Sequence, residues 1–157
     1  MWRRNETFLL DVANNWNDKI IEEFRANDGR VGGPFEGHSL LLLHHRGAKS
    51  GIERVNPLAS QSLGEGAWAI FASKGGAPIN PDWFHNLLVN PDATIEIGTE
   101  VLPVRARVAE GQERGRIWAR QKQVMPGFAD YEKKTTRQIP VVILESTVAD
   151  CREQHAS

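Results

Sequence analysis

Cysteine is almost missing from this 157-residue chain, which has only Cys151, close to the C-terminus. One thiol cannot close a disulfide within the chain or build a cysteine-rich metal site. Long apolar runs are missing as well. None approaches the ~20 residues of a transmembrane helix, and the first residues lack the apolar core and small-residue cleavage site of a secretory signal. A cytoplasmic protein is expected. There is no excess of one charge either: 19 basic residues face 20 acidic ones. The overall charge therefore gives no case for nucleic acid as a partner, and any bound anion must meet a local cluster. There is no Walker loop, no G-x-G-x-x-G opening a helix and no G-x-S-x-G elbow. This argues against a nucleoside triphosphatase, a doubly wound dinucleotide fold and a serine hydrolase. His44 and His45 are neighbours, and adjacent strand residues face opposite ways, so no metal site is expected of them.

What is present is the composition of one globular domain, 40% hydrophobic and 25% charged. Leu9, Val12, Trp16, Ile20 and Phe24 recur every three or four positions, the period of an amphipathic helix. Asn27-Asp28-Gly29 ends it. From His38 the pattern turns to strands: His38–His45, Ile52–Ser62 and Ala67–Ala72, joined by glycine-bracketed turns. Asn80-Pro81-Asp82 reads as a helix start, with a capping Asn and Pro at the first helical position. Strands over Ala93–Ile97 and Glu100–Val108, a helix over Gly111–Val124, one or two further turns from Gly127 to Thr136, and a buried strand at Val141–Leu144 complete the order. Strands joined by tight turns cannot be parallel. The fold class is therefore α+β, an antiparallel barrel with helices packed on it. Residues 1–37 form the helix and its loop, 38–150 the barrel domain and 151–157 a tail.

Two loops carry features that suit an anion. Gly47-Ala48-Lys49-Ser50-Gly51, with Arg54 close behind, offers cations, a hydroxyl and exposed backbone amides. Ser73-Lys74-Gly75-Gly76-Ala77 leaves a strand and leads to a helix start. Each also reads as a plain solvated turn. Trp83, Phe84, Phe128 and Tyr131, the single tyrosine, could wall a pocket for a flat ligand or fill the core. The N-terminal helix has two readings, packing on the barrel or a second subunit, and peripheral contact with a membrane through Trp2, Arg3 and Arg4. Acidic residues on its polar face weaken the second.

Taken in order, several segments resemble the deazaflavin-dependent nitroreductase family. They are Gly47–Gly51 with Arg54 and Asn56-Pro57-Leu58, Ala72–Pro78 with Asn80-Pro81 and Trp83–Leu87, Asn90-Pro91, Pro126–Tyr131, and Thr136–Val141. The resemblance implies a split β-barrel of the FMN-binding type that holds coenzyme F420, an 8-hydroxy-5-deazaflavin with a phosphate and an oligoglutamate tail. It places Lys49, Ser50, Gly51, Arg54, Asn56 and Pro57 against the phosphate and tail. Ala72, Ser73, Lys74, Gly75, Gly76 and Ala77 come beside the ring, their amides turned to its polar edge, and Trp83 and Asn86 complete the pocket. The activity implied is hydride transfer from the reduced deazaflavin to an organic acceptor such as a quinone, nitro compound or enone. Tyr131 would line the acceptor cavity and act with Ser73 as a catalytic residue. Phe128 would lie on the acceptor side, where a relative has a second tyrosine. Alternatives are an FMN-binding barrel oxidoreductase, a carrier that holds F420 without turnover, and a barrel with no ligand. A homodimer is compatible with the resemblance.

Overall fold

The computed structural model describes residues 17–32 and 39–148. The first half of the expected N-terminal helix, residues 33–37 of the loop that follows it, His38 at the start of the first expected strand, the membrane reading through Trp2, Arg3 and Arg4, and the tail with Cys151 lie outside the described residues. Helix α1 covers residues 17–26. It is followed by β1 (Leu40–Arg46), β2 (Glu53–Gly64), β3 (Ala67–Phe71), a 3-10 turn at Lys74–Gly76, α2 (Asp82–Val89), β4 (Asp92–Ile97), β5 (Glu100–Val108), α3 (Gly111–Val124), α4 (Gly127–Lys134) and β6 (Val141–Ser146). The strands close a barrel in the order β1-β2-β3-β6-β5-β4, with every neighbouring pair antiparallel.

The apolar runs in β1 and β6 are continuous because both faces of these strands are covered. Leu41 and Leu43 point into the barrel with Ile70, Ile95, Val104, Val142 and Leu144. Leu40 and Leu42 face outward beneath Ile20, Phe24 and Val31. Likewise Val142 and Leu144 point inward, while Val141 and Ile143 lie under Ile117, Trp118 and Phe128 of the helical layer. A strand buried on both sides loses the polar alternation of a half-buried one. α1 thus packs on the barrel, as one of its two readings expected. Phe24 is 1% exposed, and truncating so buried an aromatic side chain typically costs about 3–5 kcal/mol. Arg25 adds a fork to Glu96 of β4 at 3.1 and 2.6 Å.

α2 plugs one end of the barrel with Trp83, Phe84 and Leu87. Its start differs from the expected cap. The N-cap is Pro81, with no side-chain cap, and the Asn80 Oδ1 accepts instead from the Arg137 guanidinium at 2.6 Å. The local Asn-Pro-Asp signal is real, but a partner distant in sequence takes the capping oxygen.

Among the described residues, one stretch of β2 has a strand partner on one side only. Glu53–Ala59 pair with β1, whereas pairing with β3 begins only at Ser60. Because the Ser60 N–H donates to Ser39 O on the β1 side, strand alternation turns the backbone of Val55, Pro57 and Ala59 toward the uncovered side. Pro57, which has no N–H, can sit mid-strand because no ladder bond is asked of it there.

Candidate active site

The chain leaving β3 at Phe71 does not continue alongside this edge of β2. It folds into the 3-10 turn instead. The turn needs left-handed backbone at Lys74 (φ 46°) and Gly76 (φ 86°). A Cβ on Gly76 would lie 2.9 Å from Lys134 Cβ and 3.0 Å from Tyr131 O, so a glycine is required for α4 to approach. Three amides of this stretch are already committed: Ala72 N–H to Pro140 O, Gly76 N–H to Ser73 O and Ala77 N–H to Lys74 O. These three amides are held within the protein. Ala72 and Ser73 are buried, and the Ser73 side chain caps nothing.

The first loop is held from the α2 side by a chain of hydrogen bonds. The Ala48 N–H donates to Asn86 Oδ1 at 2.9 Å. A backbone N–H can only donate, so the Asn86 amide is fixed with its NH2 toward His45, where Nδ2 meets Nδ1 at 3.0 Å. Nδ1 must then accept, which leaves the proton on Nε2 to donate to Asn56 Oδ1 at 2.7 Å. His45 is 3% exposed, and burial holds its pKa below the ordinary histidine value, with Arg54 and His44 adding to the effect. A neutral, singly protonated imidazole is the form this chain of bonds requires. Within the loop, the Ser50 hydroxyl accepts from the Ile52 N–H at 3.2 Å, and a Cβ on Gly47 would strike that hydroxyl. Gly51 turns with φ 69°.

His44 lies on the opposite face from His45, between Glu53 (2.9 Å) and Glu96 (2.6 Å). Among the described residues no group of three or more metal-ligating side chains converges.

Lys49, Ser50, Gly51, Arg54 and Lys74 are exposed. Among the described residues none of these three cations has a carboxylate within ion-pair distance, a condition shared with Lys19, Arg30, Arg46, Arg116, Arg120, Lys133 and Lys134, whereas Arg25, Arg105, Arg107 and Lys122 are paired. Unpaired cations beside a glycine turn and an uncovered strand edge suit a ligand with a flat body and an anionic handle. Trp83 is 5% exposed and Phe128 7%, so both act mainly as core. Phe128 meets Phe71, Trp118 and Tyr131 edge-on or tilted, with centroids 5.3–6.1 Å apart. Tyr131 is partly exposed, and its hydroxyl makes no hydrogen bond among the described residues. A separate hollow under Phe84, Leu87, Leu88 and Val108 is mainly apolar. Its one cation, Arg107, is spent on Glu113 and Glu145.

Sequence reasoning assigned Arg137 no role. Its guanidinium spans the 72–80 segment, donating to Ala72 O (3.1 Å), Ser73 O (2.9 Å), Ala77 O (3.0 Å) and Asn80 Oδ1. The available signal was its place in the Thr136–Val141 segment that resembles the family.

Comparison with known proteins agrees with this geometry. The family model described as F420H(2)-dependent quinone reductase matches residues 16–146. An F420H(2)-dependent quinone reductase of Mycobacterium tuberculosis is 36% identical over 125 residues, covering 77% of this chain and 83% of that relative. A solved F420-H2 dependent reductase is 41% identical, with a TM-score of 0.63, covering 68% of this chain and 93% of the other. A structure described as a domain-swapped dimer is 36% identical, with a TM-score of 0.64, covering 87% and 98%. The FMN alternative gains no support from them. The antiparallel barrel is the split-barrel fold of these reductases, and the chain belongs to the F420H(2)-dependent quinone reductase family, as a deazaflavin-dependent oxidoreductase.

Proposed function

We propose that this protein binds reduced coenzyme F420 and delivers its hydride to a quinone. The observation that carries the reading is that the Gly47–Gly51 loop and the Ser73–Ala77 turn both carry exposed cations, Lys49 with nearby Arg54 and Lys74, which have no carboxylate within ion-pair distance among the described residues. Lys49 and Arg54, with Ser50, Gly51, Asn56 and Pro57, hold the phosphate and acidic tail through charge-assisted contacts. The Ala72–Ala77 segment borders the ring, with the Ser73, Lys74 and Gly75 amides toward its polar edge. Trp83 closes the barrel end beneath, and Asn86 acts through the Ala48 amide by fixing the first loop. When bound, the reduced deazaflavin supplies hydride from a ring carbon. The protein's share is then placement of the acceptor. The Tyr131 hydroxyl, without a protein partner, orients the acceptor oxygen or gives it a proton, and Phe128 backs the tyrosine ring.

The test is to titrate the purified protein with F420 and then mix it anaerobically with the reduced cofactor and a soluble quinone, a nitroaromatic or an enone. Saturable binding with the quinone reduced fastest is the expected result. Absence of binding refutes the assignment, and binding without oxidation by any acceptor marks a carrier. The domain-swapped relative supports a homodimer here too, and light scattering on the eluting protein tests that.

A further inference from the structure

Arg137 differs from the carboxylate-paired arginines of this protein; Arg114 also donates to a backbone carbonyl, Ile139 O, but through a single bond. Arg25, Arg105 and Arg107 donate to the carboxylates of Glu96, Asp92, and Glu113 with Glu145, which cancel their charge. The four acceptors of Arg137 are three backbone carbonyls and one amide oxygen, and all are neutral. They flank the turn on both sides, Ala72 and Ser73 before it and Ala77 and Asn80 after it, so one planar fork sets the shape of the whole segment. Carbonyls satisfy the N–H groups without neutralising the cation, and the guanidinium is part-buried. A fixed positive charge therefore sits behind the turn. Lys74 on the turn and Lys134 of α4, whose Cβ is the nearest neighbour of a Gly76 Cβ, carry the same sign. The acids on the neighbouring elements are Asp82 in the first turn of α2 and Asp130 and Glu132 of α4, the last bonded to Trp118 and Lys122.

We infer that Arg137 is a positioning residue that makes the Ser73–Ala77 turn an anion-stabilising face, favouring the ionised form of the oxidised 8-hydroxydeazaflavin bound against it. The inference rests on the proposed cofactor and on the geometry of the fork. The 8-hydroxyl is an acidic, phenol-like group, and its ionisation spreads negative charge over the conjugated ring and alters the absorption spectrum. A cation held nearby lowers the pH at which this happens.

The experiment is a pH titration of the absorption of oxidised F420 bound at saturation, compared with the free cofactor. In the wild-type protein the midpoint should lie below that of the free cofactor. In Arg137→Gln, which keeps a polar side chain but loses the charge, it should rise by about one pH unit, the scale of one nearby charge. Arg137→Lys should recover most of that difference while binding the cofactor less tightly, because a point charge cannot satisfy four acceptors at once. A purely structural role would weaken binding in both variants alike and leave the midpoint of the bound cofactor unmoved, which overturns the inference. A wild-type midpoint at or above the free value overturns it without any variant, should Arg137→Gln not fold. A wild-type protein that does not bind F420 at all removes the proposed function itself, a distinct result.

Discussion

Asn86→Ala tests the link between the barrel interior and the cation-bearing loop. The side chain is 8% exposed and uses both ends of its amide, on the Ala48 N–H at 2.9 Å and on His45 Nδ1 at 3.0 Å. Alanine removes two hydrogen bonds, each contributing about 1 kcal/mol net, and leaves the buried imidazole nitrogen unpaired at a further cost of about 1–3 kcal/mol. A loss of roughly 3 kcal/mol follows, or a fall in melting temperature of very roughly 10 °C for a domain of this size. Urea unfolding measures the stability and a cofactor titration measures the second effect. With Ala48 released, the Lys49 loop is no longer preorganised, and F420 affinity should fall about tenfold. Asn86→Asp separates the two roles. Its carboxylate still accepts from Ala48 but faces the His45 lone pair, so it should favour an imidazolium, visible in histidine 15N shifts. An Asn86→Ala protein with unaltered urea midpoint and unaltered F420 affinity would refute the hydrogen-bond chain as described.

Three further outcomes are expected. Replacing both Lys49 and Arg54 by Ala should weaken F420 binding by a factor of about 100 or more, as for two lost charge-assisted contacts, while leaving thermal stability within about 1 kcal/mol because both side chains are exposed. Gly76→Ala places a methyl group 2.9 Å from Lys134 Cβ on a left-handed backbone, so calorimetry should find a loss above about 1 kcal/mol. Burial lowers the His45 pKa, so between the folded value and the ordinary 6.5 the unfolded chain binds more protons than the folded one. Stability is then full above about pH 7 and declines as the pH falls below the unfolded value. A His45→Gln variant should show a flatter stability profile across that window, and an unchanged slope would count against it.

How much of this was legible in the sequence depended on how local each signal is. Strand β5 and helix α3 fall on the predicted residues, 100–108 and 111–124, because a tight hairpin and a Pro126-Gly127 break bound them within the chain itself. The run Val141–Leu144 announced a buried strand, as found, whereas Leu40–Leu43 announced a strand but not its two-sided burial, which depends on α1 packing over it. At Asn80 the local pattern misled, since Arg137 lies 57 positions away and its claim on the side chain leaves no trace in a cap motif. The same reason hid the His45–Asn56–Asn86 chain. Three polar residues on three elements reveal a shared proton only once the barrel has closed. The Ala72–Ala77 segment was singled out by resemblance, but that three of its amides are bonded within the protein follows only from the folded turn.

Pro57 also bears on what the protein avoids. A sheet margin left bare invites an extended peptide, or another molecule's strand, to zip onto it and seed aggregation. Zipping needs a donor at alternate positions, and at the middle of this margin the ring nitrogen has none to give. The margin thus resists being extended by foreign backbone.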